Sequence, residues 1–269
     1  MTRTADLVVR SFHAERVRTA GCSRLRVVFV PAAIAVPLGI SVFIAVVAER
    51  FARIPGQVGI LQVATSNAGY WVVSITVMVV AAAAADGVAA EYRYRTGEYM
   101  TLAIPARWAG LLGRWLFYGS LGAVLSAVTA LLVLMALPAV SELVYGPVSV
   151  LDGHGRRLLW TIAVYAFFAA GSGVGIGAAL KAPTAAIGVV FFWAYAVEGA
   201  VAYLPSAASL QRFMPLINAI YATGQETALD PPWGKNVALA YVGALCVAAF
   251  GAAVFGSAAV ETLERRKGK

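Results

Sequence analysis

Long apolar runs separated by short polar stretches make up most of the chain. Five runs hold no Asp, Glu, Lys or Arg: Val27–Ala48, Asn67–Ala85, Trp115–Leu137, Leu158–Leu180 and Val237–Val260. A sixth, Ala182–Leu204, is interrupted only by Glu198. Each is close to the about 20 residues that an α-helix needs to cross the hydrocarbon of a bilayer. Backbone groups in lipid must be paired within the protein, so such runs are helices or barrel strands. Barrel strands alternate polar and apolar positions, and these runs do not. The pattern therefore predicts an all-α, polytopic membrane protein with six transmembrane helices, forming one membrane domain over residues 1–269. The first run starts at Val27 and is too long for a secretory h-region, so it reads as a permanent span.

The connections are unequal. Residues 1–26 precede the first span and carry six arginines. They are expected to form an amphipathic helix at the membrane interface. Residues 86–114 form a long polar connection after the second span. Spans four and five are joined only by Lys181-Ala182-Pro183-Thr184. Between spans five and six lie two short, mostly apolar pieces, Ser206–Met214 and Leu216–Thr223, set among four prolines. They are too short to span and are expected to be re-entrant half-helices.

Composition agrees with lipid as the solvent. Hydrophobic types make up 61% of the chain and charged types 13%. A soluble domain has roughly 45–50% apolar and about 25% charged residues. The net charge of +8 is placed unevenly. With the N-terminus inside, fifteen Lys and Arg fall on inner segments and six on outer ones. This positive-inside bias puts both termini in the cytoplasm, in a plasma (inner) membrane, and accounts for the basic balance without nucleic acid. The Arg156–Arg157 pair opposes the bias locally.

Candidate chemistry is sparse. Two cysteines, Cys22 and Cys246, and two histidines, His13 and His154, are scattered, so no metal site is expected. No G-x-x-x-x-G-K-[ST] occurs, so the chain is not expected to hydrolyse ATP. The glycines of Gly171-Ser172-Gly173-Val174-Gly175-Ile176-Gly177 sit in an apolar run with no preceding strand. The 171/175 and 173/177 pairs are small-xxx-small spacings that let helices approach closely. Glu198 lies toward the outer end of span five, near Tyr195 and Tyr203. It reads either as a pore-facing residue of a substrate pathway or as a group that lies near the interface or is hydrogen-bonded between helices.

The stretch with most character is Glu91 to Arg107, which mixes charges with Tyr92, Tyr94 and Tyr99 and ends at Pro105. It is expected to hold a surface helix over 88–103 suited to docking on another protein. It resembles the segment after the second span of ABC-2 type transporter permeases, E-x-R/E-x-G-T, then L-x-x-P, then basic residues. Glu91, Arg93, Thr96, Leu102, Pro105, Arg107 and Arg114 match. Arg95 stands where the family usually has glycine, and Gly97 follows two positions later. The opening Glu15-Arg16-Val17-Arg18-Thr19 resembles the N-terminal helix of many such permeases, especially actinobacterial ones.

The resemblance implies a permease subunit of an ATP-driven exporter. It would form the pathway as a dimer, with a second copy or a related permease. Glu91, Tyr92, Arg93, Arg95, Thr96, Leu102, Pro105 and Arg107 would form a coupling helix, and Glu15, Arg16 and Arg18 the interfacial one. Separate cytosolic ATPase subunits would hold ATP and Mg, with no cofactor on this chain. The substrate would be amphipathic: a drug, lipid or peptide. The alternatives are a membrane-embedded lipid-modifying enzyme, for which acid–base or metal clusters are missing, and an ion-coupled secondary transporter, for which one intramembrane acid and no repeat are weak support.

Overall fold

A computed structural model describes residues 2–54, 62–94, 104–204 and 207–267. Ten helices run through these residues. They are α1 (Thr2–Arg18), α2 (Leu25–Ala52), α3 (Thr65–Arg93), α4 (Arg107–Val140), α5 (Glu142–Tyr145), α6 (Gly153–Leu180), α7 (Pro183–Val201), α8 (Ala208–Gln211), α9 (Pro215–Ala222) and α10 (Lys235–Lys267). No strand occurs among the described residues. Six of the helices, α2, α3, α4, α6, α7 and α10, are long and apolar enough to cross a membrane, and the protein is a polytopic helical membrane protein. They alternate in direction. One end of the bundle carries α1, the end of α3, the start of α4 and the α6–α7 turn; the far end carries α5, α8 and α9.

Two of the spans that outrun their apolar runs carry buried charges in the extension. α3 continues past Ala85 through Arg93, and α4 begins at Arg107 rather than Trp115. The extensions carry Asp86, Glu91 and Arg114, all buried. Their charges are matched across the helices, which removes the reason to end a span there. The surface helix expected over 88–103 is thus, up to Arg93, the last turn of α3. Its remainder, with Arg95, Thr96 and Leu102, lies outside the described residues.

α3 is the centre of the bundle: 89% of its most apolar window is buried, against 17% for α2 and 22% for α7 and α10. Lipid gives helices no hydrophobic reason to associate, so close van der Waals packing must hold them. α3 and α6 supply it. A Cβ on Gly173 would strike the Ala81 carbonyl, and one on Gly177 the Ala85 carbonyl. The other two glycines face different neighbours. Gly171 lies under the Trp115 indole of α4, and Gly175 under Ala249 and Phe250 of α10. The run thus packs α6 against three helices at once.

Local defects are repaired across helices. Pro37 inside α2 has no N–H for the Ala33 carbonyl, and the Thr76 hydroxyl of α3 donates to that carbonyl at 2.9 Å. α6 starts at an Asp152 cap that accepts from the Gly155 N–H and ends at Lys181 in the left-handed region, φ 56°. Pro183 then opens α7. At the far end Arg157 donates to the Ala222 carbonyl at 2.9 Å and to Asn236 at 2.8 Å. One arginine of the pair that opposes the charge bias therefore ties the end of α9 to α6 and α10.

The same end is pinned by Glu226, whose carboxylate accepts from Ser66 at 2.7 Å and Asn67 at 2.9 Å. The Ser66 and Asn67 hydrogen bonds hold its carboxyl below the usual carboxylate range, with His154 and Lys235 adding weaker pull. A depressed folded value means the contact stabilises above the unfolded range and is lost as pH falls through the folded value. Hydrogen exchange at residues 65–69 is expected to rise once pH drops below the usual carboxylate range. Glu226→Gln should remove that pH dependence; an unchanged profile would disprove the link.

Candidate functional site

Two places bring together the polar residues that the sequence singles out. The first lies where α1 packs across the start of α4. The residues of α1 that turn inward are Ser11 and Glu15, flanked by Val8 and Phe12 and followed just past the helix end by Thr19; Ser11, Glu15 and Thr19 are all buried. The Ser11 hydroxyl donates to the Gly110 carbonyl at 2.7 Å. A Cβ on Gly113 would meet Ser11 Cβ at 2.5 Å and the Val8 carbonyl oxygen at 2.6 Å, so α4 offers bare backbone to the Ser11 side chain and the α1 backbone. Phe12 meets Phe117 edge to face at 5.7 Å.

Glu15 is the centre of this contact and only 1% exposed. Its carboxylate accepts from the Tyr118 hydroxyl at 2.6 Å and from Arg18 Nε at 3.1 Å, and pairs with Arg18 Nη2. Arg114 Nε stands 3.9 Å from the other oxygen. Arg114 Nη2 in turn holds Glu91 at 2.5 Å. Two carboxylates and two guanidiniums thus balance one another in a site shared by α1, α3 and α4. Burial alone would weaken protonation of Arg18, but the hydrogen bonds and charge of Glu15 more than reverse this, so it stays cationic. A second bridge, Arg24 to Asp86 at 3.1 Å, joins the start of α2 to α3.

These positions differ from what the sequence suggested. Glu91 does not lie on an open docking face; it is buried against Arg114. Glu15 and Arg18 do more than rest at an interface, since they lock α1 onto α4. Arg16 is exposed, as are Arg93 and Pro105. Arg107 donates to the Tyr92 hydroxyl at 2.5 Å across the gap between α3 and α4, and Lys181 lies 5.4 Å from the centre of the Tyr92 ring. Tyr118, Asp86 and Arg24 were not singled out. Nothing at Tyr118 marks it in the sequence; Asp86 is readable only as an acid closing a long apolar run.

The second place surrounds Glu198, which is 5% exposed near the far end of α7. One carboxylate oxygen accepts the Leu216 N–H at the start of α9, at 2.8 Å. Glu198 is therefore hydrogen-bonded between elements, which is one of its two expected roles, and it also faces open space. A cavity of about 340 Å³ lies between α3, α6, α7 and α10, with Tyr165, Ser172, Trp193 and Cys246 among mostly apolar walls. A second cavity of about 350 Å³ lies toward the far end, lined by Tyr70, Tyr195, Gln211 and Glu226. Glu198, Ala194 and Leu216 line both cavities and so form the partition between them. Tyr195 is fixed beside it by donating to the Ser74 carbonyl at 2.9 Å. Among the described residues, no group of His, Cys, Asp and Glu is arranged to hold a metal.

No protein-family model, no curated protein and no solved structure matches the chain.

Proposed function

We propose that the chain is the permease subunit of an ATP-driven exporter, paired with a second permease and driven by cytosolic ATPase subunits. Both termini and the α1 end then face the cytoplasm of a plasma membrane, as the distribution of Lys and Arg favours. The observation that carries the reading is the charge cluster of Glu15, Arg18, Glu91, Arg114 and Tyr118. It binds α1, the end of α3 and the start of α4 into one unit around the segment that joins α3 to α4. A push on that segment would move two spans together. A lone flexible loop would absorb the push. Exposed Arg93, Tyr94 and Trp108 flank the segment and offer charge and aromatic surface to a partner.

The test is co-expression with an ATPase encoded beside this chain, followed by ATP hydrolysis and transport assays in lipid vesicles. Arg93→Glu combined with Tyr94→Ala is expected to leave insertion intact and to lower transport at least tenfold. Glu91 is a poor choice for this test, because its loss would also destabilise the buried cluster. Failure of any ATPase to form a complex, or unchanged transport in the double variant, would sink the reading.

A further inference from the structure

We infer that the cavity between α3, α6, α7 and α10 binds a lipophilic organic cation, with Glu198 as its counter-charge. The inference deepens the exporter reading by naming its substrate class, and rests on that reading only for the step from binding to transport.

Three features carry it. The cavity walls are almost wholly apolar, and its volume of about 340 Å³ falls in the range of small-molecule sites. An anionic or strongly hydrated ligand would lose its water there for nothing. The carboxylate at its edge is buried, and among the described residues no Lys or Arg pairs with it. Its partners are neutral donors: the Leu216 N–H, with the Ile217 N–H and the Trp193 indole also acting on it. A helix N-terminus offers about half a positive charge, so α9 neutralises Glu198 only in part. Finally, Tyr165 and Trp193 line the same cavity, and aromatic faces attract organic cations. The apolar body of such a ligand would fill the cavity while its cationic centre lies against Glu198. The shared wall of Glu198, Ala194 and Leu216 then separates the ligand from the second cavity toward the far end.

A carboxylate that served only to hold α9 could be replaced by an amide, whose oxygen accepts the same N–H. This separates the two roles. The full chain in lipid nanodiscs would be titrated with radiolabelled tetraphenylphosphonium, with binding to protein-free nanodiscs subtracted. Saturable binding is expected, displaced by other lipophilic cations and not by tetraphenylborate, which has the same shape and the opposite charge. Glu198→Gln should weaken binding at least tenfold. Glu198→Asp, which keeps the charge, should retain most of it. Ile176→Trp, which fills the cavity from α6 and leaves Glu198 in place, should also abolish it. Non-saturable binding, equal displacement by both ions, or equal affinity in Glu198→Gln would overturn the inference. No ATPase is present in this assay. Loss of the site with ATP-driven transport intact would therefore reject the cation site alone, and saturable cation binding by a chain that forms no complex with any ATPase would reject the exporter reading alone.

Discussion

Arg114→Met is expected to be among the most destabilising single changes in the protein, at about 3–5 kcal/mol. Arg114 is 6% exposed and touches both Glu15 and Glu91. Methionine of similar length would preserve the packing and delete the charge. Two carboxylates would then remain in a buried site with Arg18 as the neighbouring cation, and Arg18 reaches Glu15. The cost is that of leaving a buried charge uncompensated, and not the modest net worth of an ion pair. A fall of the thermal midpoint on the order of 10 °C follows from that free energy. The sign of the explanation is checked by adding Glu91→Gln to the variant. Removing the stranded charge should recover part of the loss, a coupling that contact between two neighbours requires. Arg24→Met is the comparison. Its side chain is 63% exposed, so its bridge to Asp86 is largely screened and should matter far less. Equal losses for Arg114 and Arg24, read by fluorescence-detected size exclusion after heating, would show that burial is not what makes the cluster important.

The apolar runs were legible because lipid imposes a rule on every residue of a span at once. Six spans, the tight Lys181–Thr184 connection and the two short helices around Met214 all follow from that rule. What composition hid were the ends of the spans. A buried acid closes an apolar run in the sequence, yet Asp86 and Glu91 continue α3 because Arg24 and Arg114 reach them from other helices. Pairing of this kind depends on tertiary contacts that no local pattern carries. α1 was harder still. A search for its apolar face finds Val8, Val9 and Phe12 interrupted by Arg16, whereas the face that packs is centred on Ser11, Glu15 and Thr19. Ser11 and Glu15 are polar because the surface they meet is the bare backbone at Gly110 and Gly113 and the hydroxyl of Tyr118, while the Thr19 hydroxyl donates back to the Glu15 carbonyl. Glu198 was visible as the lone acid of its run, but its place between two cavities is made by residues from α3, α6, α9 and α10 together.

Gly173→Val is expected to separate α3 from α6 and to cost about 3 kcal/mol or more, at the upper end of overpacking effects. The added carbon would meet the carbonyl of Ala81, with the carbonyl carbon at 2.9 Å and Cα at 3.1 Å. All three are backbone atoms of the most buried helix, so no side chain can swing away, and the helices themselves must part. Gly188 gives the opposite sign. Nothing lies within 4 Å of a Cβ there, so Gly188→Ala should stabilise α7 by up to about 1 kcal/mol through helix propensity alone. Gly175→Ala should fall between the two, since its nearest atoms, Ala249 O and Phe250 Cα, are at 3.0 Å. Thermal midpoints in the order Gly188→Ala, wild type, Gly175→Ala, Gly173→Val check the ranking. Helix propensity as the ruling effect would instead make both alanine variants more stable than wild type. Parting α3 from α6 also reaches the cavity, because Met78 and Ala81 form one of its walls and Ala169, Ser172 and Ile176 the facing one. Gly173→Val protein that still folds at low temperature should therefore bind tetraphenylphosphonium poorly with Glu198 untouched. The packing of two small-residue helices and the shape of the cavity beneath them are, on this argument, one property.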